Sequence, residues 1–285
     1  MVLCGLLSSL CACAHLTSGS VTVAGESRGR PNEGWLAHST RLPETGVGYR
    51  TFRTEAEGGR MYGTRRLVGM IQHLAEVTGR EGRSPLRVGD LSQPGGGHVT
   101  RHHSHRVGRD VDILFYVRNR HEDAVAMTPG FVRFDERGNS TAWPHLEYDV
   151  ARNWTLVETL LREPEISVVR IFVASWIEQW LLDHARAQQR PAWLLERAER
   201  VMLQPGDAEA HDDHFHVRIG CTAQERALGC VDGGPAWPWA QKEWEKDVAS
   251  PADDDTVLSM MEPIPAVEAP AASPRAHTSR RHASR

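Results

Sequence analysis

His102, His103 and His105 precede Asp112 in the run HHSHRVGRDVDI, and His211, His214 and His216 sit far downstream in HDDHFHVRIGC. Neutral imidazole and carboxylate are good ligands for Zn²⁺, and a catalytic zinc site uses three protein ligands and keeps a further position open. Two such clusters, remote in sequence and each tied to a strand-like segment, are how a chain assembles an open metal site. The chemistry they point to is hydrolysis, so a metallohydrolase is the leading reading.

The local pattern says how each residue would be held. In HFHVRI, the apolar Phe215, Val217 and Ile219 alternate with His214, His216 and Arg218. Side chains at i and i+2 of a strand share a face, so both histidines would point away from the core. DVDILFY repeats the device, with Asp110 and Asp112 on one face and Val111 and Ile113 on the other. Between His105 and Asp112 lies RVGR, where Gly108 permits a tight turn that folds His105 back beside Asp112. The loop DLSQPGGGHVTRHH is glycine-rich, but it has no GK[ST] ending and leads to no helix, which excludes a nucleotide cradle. Ser104 has no GxSxG context. Asp110 would either orient a metal-bound histidine from behind or lie at the surface, and Asp212 and Asp213 would hold the loop around His211.

HSHRVGRDVD, with a histidine and an aspartate seven positions apart, followed much later by HFH, resembles the metal-binding pair of the lysostaphin/D-Ala-D-Ala metallopeptidase group. The longer strings DLSQPGGG, HHSHRVGRDVDI and HDDHFHVR are more narrowly similar to the penicillin-insensitive murein endopeptidases, over residues 47 to 232. The resemblance implies Zn²⁺ held by His105, Asp112 and His216, with His102 as a further metal contact. It makes His214 the polarising or general-base residue, with His211 beside it. A second metal in that family goes with an Asp-x-x-His pair. The nearest match here is Asp149 followed by Arg152, which departs from the pattern.

The implied activity is hydrolysis of the D-alanyl to meso-diaminopimelate crosslink of peptidoglycan. Zn²⁺ would lower the pKa of water towards about 7 and polarise the scissile carbonyl. His214 would take the water proton and return it to the leaving amine, and Arg218 or His211 would stabilise the oxyanion or a substrate carboxylate. Two other readings stay open. One is a D,D-carboxypeptidase or dipeptidase of the same group, marked by a pocket closed around a free C-terminus. The other is a non-catalytic, zinc-containing wall-binding lipoprotein, marked by a closed four-ligand site.

The chain of 285 residues is 40% hydrophobic and 25% charged, which suits one globular domain with appended ends. A net charge of −4 and a pI near 6.4 exclude the basic face of a nucleic-acid binder. With no apolar run of 18 or more residues, no transmembrane helix is expected. Residues 1–14 read as an export signal. Leu10-Cys11-Ala12-Cys13 resembles a lipobox in which Cys13 would be lipidated, the alternative being ordinary cleavage near Ala14. A periplasmic or outer-membrane-associated protein follows. Cys221 and Cys230, the two cysteines outside that segment, read as a disulfide closing a short loop, or otherwise as two free thiols.

Residues 15–46, rich in Ser, Gly, Thr and Pro, are expected as a flexible linker, 47–250 as the zinc peptidase domain and 251–285 as a disordered tail. Within the domain, Leu67, Met70, Ile71, Leu74 and Val77 predict a helix over 65–80. Strands are expected over 85–90 and 166–174, and helices over 153–162, 176–186 and 191–202. Asn153 reads as a helix cap, and Trp143, Trp154, Trp176, Trp180 and Trp193 as core. The fold class is α+β, a small antiparallel sheet carrying the zinc site and flanked by helices.

Overall fold

The computed structural model describes residues 26–79, 84–100, 102–122, 124–163, 166–206, 208–235 and 237–239. The expected export signal, the lipidation position Cys13, residues 15–25 of the expected linker and the tail 251–285 lie outside the described residues. No helix among the described residues is long and apolar enough to cross a membrane.

β1 (Glu26–Arg30) and β2 (Glu33–Ala37) pair as an antiparallel hairpin across the turn Pro31-Asn32. Residues 26 to 46 were expected to be linker, so this is a correction. Polar composition suggested a segment without a core. However, the hairpin needs none of its own, because Ser27 and Leu36 are buried against the rest of the domain.

Three short strands follow, β3 (Thr40–Arg41), β4 (Thr45–Gly46) and β5 (Tyr49–Thr51), and then β6 (Tyr62–Gly63). Helix α1 (Arg65–Thr78) starts where the Thr64 hydroxyl accepts from the Leu67 N–H. It buries Leu67, Met70, Ile71 and Leu74 along one stripe. Val77, expected on that stripe, is exposed, and Thr78 is buried in its place.

β7 (Leu86–Val88) and β8 (Asp110–Leu114) come next, then a three-stranded sheet of β9 (Val117–Asn119), β10 (Ala124–Ala126) and β11 (Leu146–Tyr148). Helix α2 (Val150–Arg162) begins at Asp149, whose carboxylate accepts from the Arg152 N–H. Asn153 is therefore not the cap. It is buried inside the helix, where its amide donates to the Tyr116 carbonyl. The rest of the domain is β12 (Val168–Phe172), α3 (Ser175–Ala187), α4 (Ala192–Val201), β13 (Met202–Leu203), β14 (His214–Ile219) and α5 (Ala223–Ala227).

The principal sheet has seven strands in the order β13-β12-β14-β8-β7-β5-β4. The α+β class holds, but the sheet is neither small nor purely antiparallel, since β12 pairs with β13 and β5 with β7 in parallel. Each parallel pair is joined through helices, α1 in one case and α3 and α4 in the other, as a parallel connection requires. The extra strands are two or three residues long, too short to show a period of two in sequence.

One face of this sheet meets the helices. Val111, Ile113, Phe215, Val217 and Ile219 join the buried faces of α1, α2, α3 and α4 in one continuous core. Phe215 packs edge-on against Phe115, their ring centres being 4.8 Å apart, and truncating so buried a phenylalanine typically costs about 3–5 kcal/mol. Trp154 lies in this core, and Trp176 and Trp180 pack at its edge. Trp143 and Trp193, expected inside, are exposed. The opposite face of β8 and β14 carries the carboxylates and histidines.

Candidate metal centre

The register of β14 on β8 sets Asp112 opposite His216 and Asp110 opposite Arg218, with His214 opposite Leu114. Alternation then puts both aspartates, both histidines and the arginine on the face away from the core. Gly89, at the end of β7, lies so close to Asp112 that a Cβ there would meet the Asp112 Cβ at 2.9 Å. Glycine is what lets this backbone pass beside the carboxylate.

The loop before β8 brings in His102 and His105. Gly108 has φ 71, the turn anticipated in RVGR. His105 itself is at φ 62, a conformation that a non-glycine residue adopts only at a cost, and it is fully buried. Its Nδ1 lies 3.0 Å from the Leu91 carbonyl oxygen. A carbonyl only accepts, so Nδ1 carries the hydrogen, and in the neutral ring Nε2 presents a lone pair. That Nε2 sits 3.1 Å from Asp112 Oδ1.

Neither atom has a hydrogen-bond partner, and both are buried. A lone pair facing a buried carboxylate oxygen is repulsive unless a proton or a metal ion lies between them. The donor set therefore fits a metal ion. Ligand atoms of His102, His105 and Asp112 all lie within 4.8 Å of one another.

His102 is oriented by Asp90, whose Oδ2 is 3.1 Å from Nε2, and its Nδ1 is 3.9 Å from Asp112 Oδ2. His216 is held from behind, its Nε2 lying 2.8 Å from Asp110 Oδ1, while its Nδ1 is 3.9 Å from Asp112 Oδ1. The structure thus brings His102 into the tightest group and sets His216 at its margin. Burial lowers the His216 pKa to about 3, so this ring is neutral and able to act as a ligand.

His214 lies across Asp112, with Nε2 3.4 Å from Oδ1, and its Nδ1 is 2.5 Å from Asp213 Oδ1. Burial opposes its charge, but the Asp112 and Asp213 carboxylates outweigh burial and raise its pKa to about 10. His211, another left-handed residue at φ 54, has its Nδ1 2.8 Å from the Glu209 carbonyl and its ring 5.0 Å from that of His214. Burial and the His214 charge lower its pKa.

Arg218, expected with His211 as a candidate to meet substrate, is largely buried but lines the cleft, with Nε 2.6 Å from Asp110. Asp90 and Phe131, which packs edge-on to His214, carried no sequence signal beyond their loops. Asp149 caps α2 and lies outside the histidine group. Cys221 and Cys230 form a disulfide. All the site histidines except His105 line an open cleft of about 600 Å³.

An α+β domain with a buried His–Asp group under an open cleft defines a metallopeptidase-type hydrolase. This chain belongs to the penicillin-insensitive murein endopeptidase family, whose model matches residues 27–238. The penicillin-insensitive murein endopeptidase of Haemophilus influenzae is 28% identical over 214 residues, which is 73% of this chain and 67% of the relative. The family match starts within the β1–β2 hairpin, twenty residues before the resemblance was legible in the motifs.

Proposed function

We propose that this protein is a zinc-dependent endopeptidase that hydrolyses the D-alanyl to meso-diaminopimelate crosslinks of peptidoglycan. His105, Asp112 and His216 would hold the metal, with His102 as a further contact. The observation that carries the reading is the buried His105 Nε2 facing Asp112 Oδ1 with neither atom otherwise satisfied. Bound there, zinc would supply Lewis-acid polarisation of a peptide carbonyl and of water.

The chain's own residues supply the rest. Asp110 fixes the His216 ring through Nε2, leaving Nδ1 for the Asp112 side. Asp90 does the same for His102. His214 stands over the Asp112 oxygen with Asp213 behind it, a geometry suited to taking a proton on one side of a peptide and returning it on the other. Cation binding at Asp112 would cancel much of the attraction that keeps His214 protonated, freeing its Nε2 to act as a base. His211, neutral and at the cleft wall, would assist.

The open cleft supports an endopeptidase over a carboxypeptidase or dipeptidase, which needs walls around a free C-terminus. It also speaks against a closed structural zinc site in a wall-binding lipoprotein. A wall substrate implies export, consistent with reading residues 1–14 as a signal and the mature protein as periplasmic or outer-membrane-associated, with Cys13 either lipidated or removed by cleavage near Ala14. The test is to incubate purified protein with crosslinked muropeptide dimers, with and without chelator, and to identify products by mass. Monomers from the zinc-loaded sample alone are expected. Release of terminal D-alanine from intact dimers would move the protein to the carboxypeptidase class.

A further inference from the structure

Arg30 ends β1 at the turn Arg30-Pro31-Asn32, and all three residues line the same cleft as His102, His214 and His216. The turn is held from two sides. On one side Gly29 exchanges backbone hydrogen bonds with Gly229 and Val231, which flank Cys230 of the disulfide loop. On the other, Leu36 donates to Gly95 and Arg106 donates to Pro31, both in the loop that carries the histidines. Pro31 is buried, and Gly233, at φ 63, packs so close to it that a Cβ there would sit 3.0 Å from the proline ring. This turn is a fixed part of the cleft wall.

The charges of the cleft are otherwise matched. Arg218 is committed to Asp110, and Asp213 and Glu209 both face Arg133. Arg30 is exposed and has no carboxylate partner among the described residues. Glu33 opposes it across the hairpin without forming an ion pair. A guanidinium held on a rigid turn beside an open site is suited to bidentate capture of a carboxylate.

We propose that Arg30 is a specificity-determining residue that reads a carboxylate of the diaminopimelate-bearing stem peptide. The proposal rests on the peptidase reading above. Two carboxylates could serve, that of the diaminopimelate centre beside the scissile nitrogen and that at the C-terminus of the stem. Either would be bound more tightly than its amide.

The experiment measures binding of the released stem, which is a product and is not turned over, to the zinc-loaded full-length protein by calorimetry. Three ligands are compared: the free acid, the stem amidated at diaminopimelate and the stem amidated at its C-terminus. Wild type should bind the free acid roughly 10- to 100-fold more tightly than one of the amides, as loss of a charged hydrogen bond implies. The amide that weakens binding identifies the carboxylate. Arg30→Ala should bind acid and amide alike, and Arg30→Lys should keep part of the preference.

Equal or absent binding of acid and both amides by wild type, or discrimination surviving in Arg30→Ala, overturns the proposal. Unfolding temperatures of the two variants, expected to match wild type at so exposed a position, separate lost recognition from lost fold. Hydrolysis of the crosslinked dimer by wild type, run alongside, judges the endopeptidase reading independently. Dimer cleavage without acid preference would sink the role of Arg30 alone.

Discussion

At the scale of single residues, the site sorts its histidines by what stands behind each ring. His105 has a carbonyl behind it, His102 and His216 have carboxylates, and His214 has the Asp213 carboxylate on one side and Asp112 on the other. In the proposed scheme the first three would serve as ligands and the fourth as the base. His214→Ala should therefore keep stoichiometric zinc by elemental analysis and lose about 10²- to 10⁴-fold in dimer hydrolysis, whereas His105→Ala should lose both. Zinc loss in His214→Ala would make it a ligand. Asp110 touches no substrate in this scheme and acts by positioning His216. Asp110→Asn should weaken zinc about 10- to 100-fold in chelator competition, and an unchanged zinc affinity would remove His216 or its support from the ligand set.

At the scale of elements, two features lie outside the catalytic group. The Cys221–Cys230 loop packs on β1, and the fully buried Arg109 joins them, donating to Ser27 Oγ and to the backbone carbonyls of Ile219 and Val231. Cys221→Ser with Cys230→Ser should cost about 2–3 kcal/mol in denaturant unfolding, with the first proteolytic cuts falling in the hairpin. Unchanged stability on reduction would contradict this. On the far side, α3 carries Glu178, whose pKa burial and the neighbouring Glu199 raise to about 7. The folded chain then holds this proton more tightly than the unfolded one. Stability is full in acid and falls as pH rises from the unfolded value of 4.5 through about 7. Glu178→Gln should thus raise the unfolding temperature near pH 8 and leave it nearly unchanged near pH 4. A gain of equal size at both pH values would mean that Glu178 is not what titrates.

At the scale of the whole molecule, the domain boundary has a physical test. A chain beginning at residue 47 would leave the Arg109 guanidinium without Ser27 and strip the turn of Arg30 from the cleft. A chain of residues 26–247 should unfold cooperatively at the wild-type temperature and cleave dimers. The fragment 47–247 should unfold well below it, since removing a partner from a buried charged group costs about 1–3 kcal/mol or more. Equal unfolding temperatures for the two fragments would restore residues 26–46 to the status of a linker. The family match beginning at residue 27 favours the longer unit.

The sequence by itself determined which histidines and aspartates share a face and the strands that bear them. Alternation in HFHVRI and DVDI assigns faces without reference to the rest of the chain, because the side-chain period of a strand is a local property. The turn at Gly108, the helix begun at Arg65 and the pairing of the two domain cysteines were legible for the same reason. What only the tertiary structure decided was everything that depends on remote partners. Register places Asp110 under both His216 and Arg218, so one buried carboxylate holds a histidine and an arginine of the cleft together. Asp90 reaches His102 across a loop, and strands of two or three residues complete a seven-stranded sheet. A polar hairpin without a core of its own became a wall of the cleft because a disulfide loop and a histidine loop hold it from either side. Composition reports what a segment can bury within itself, and this one is held by what its neighbours bury against it.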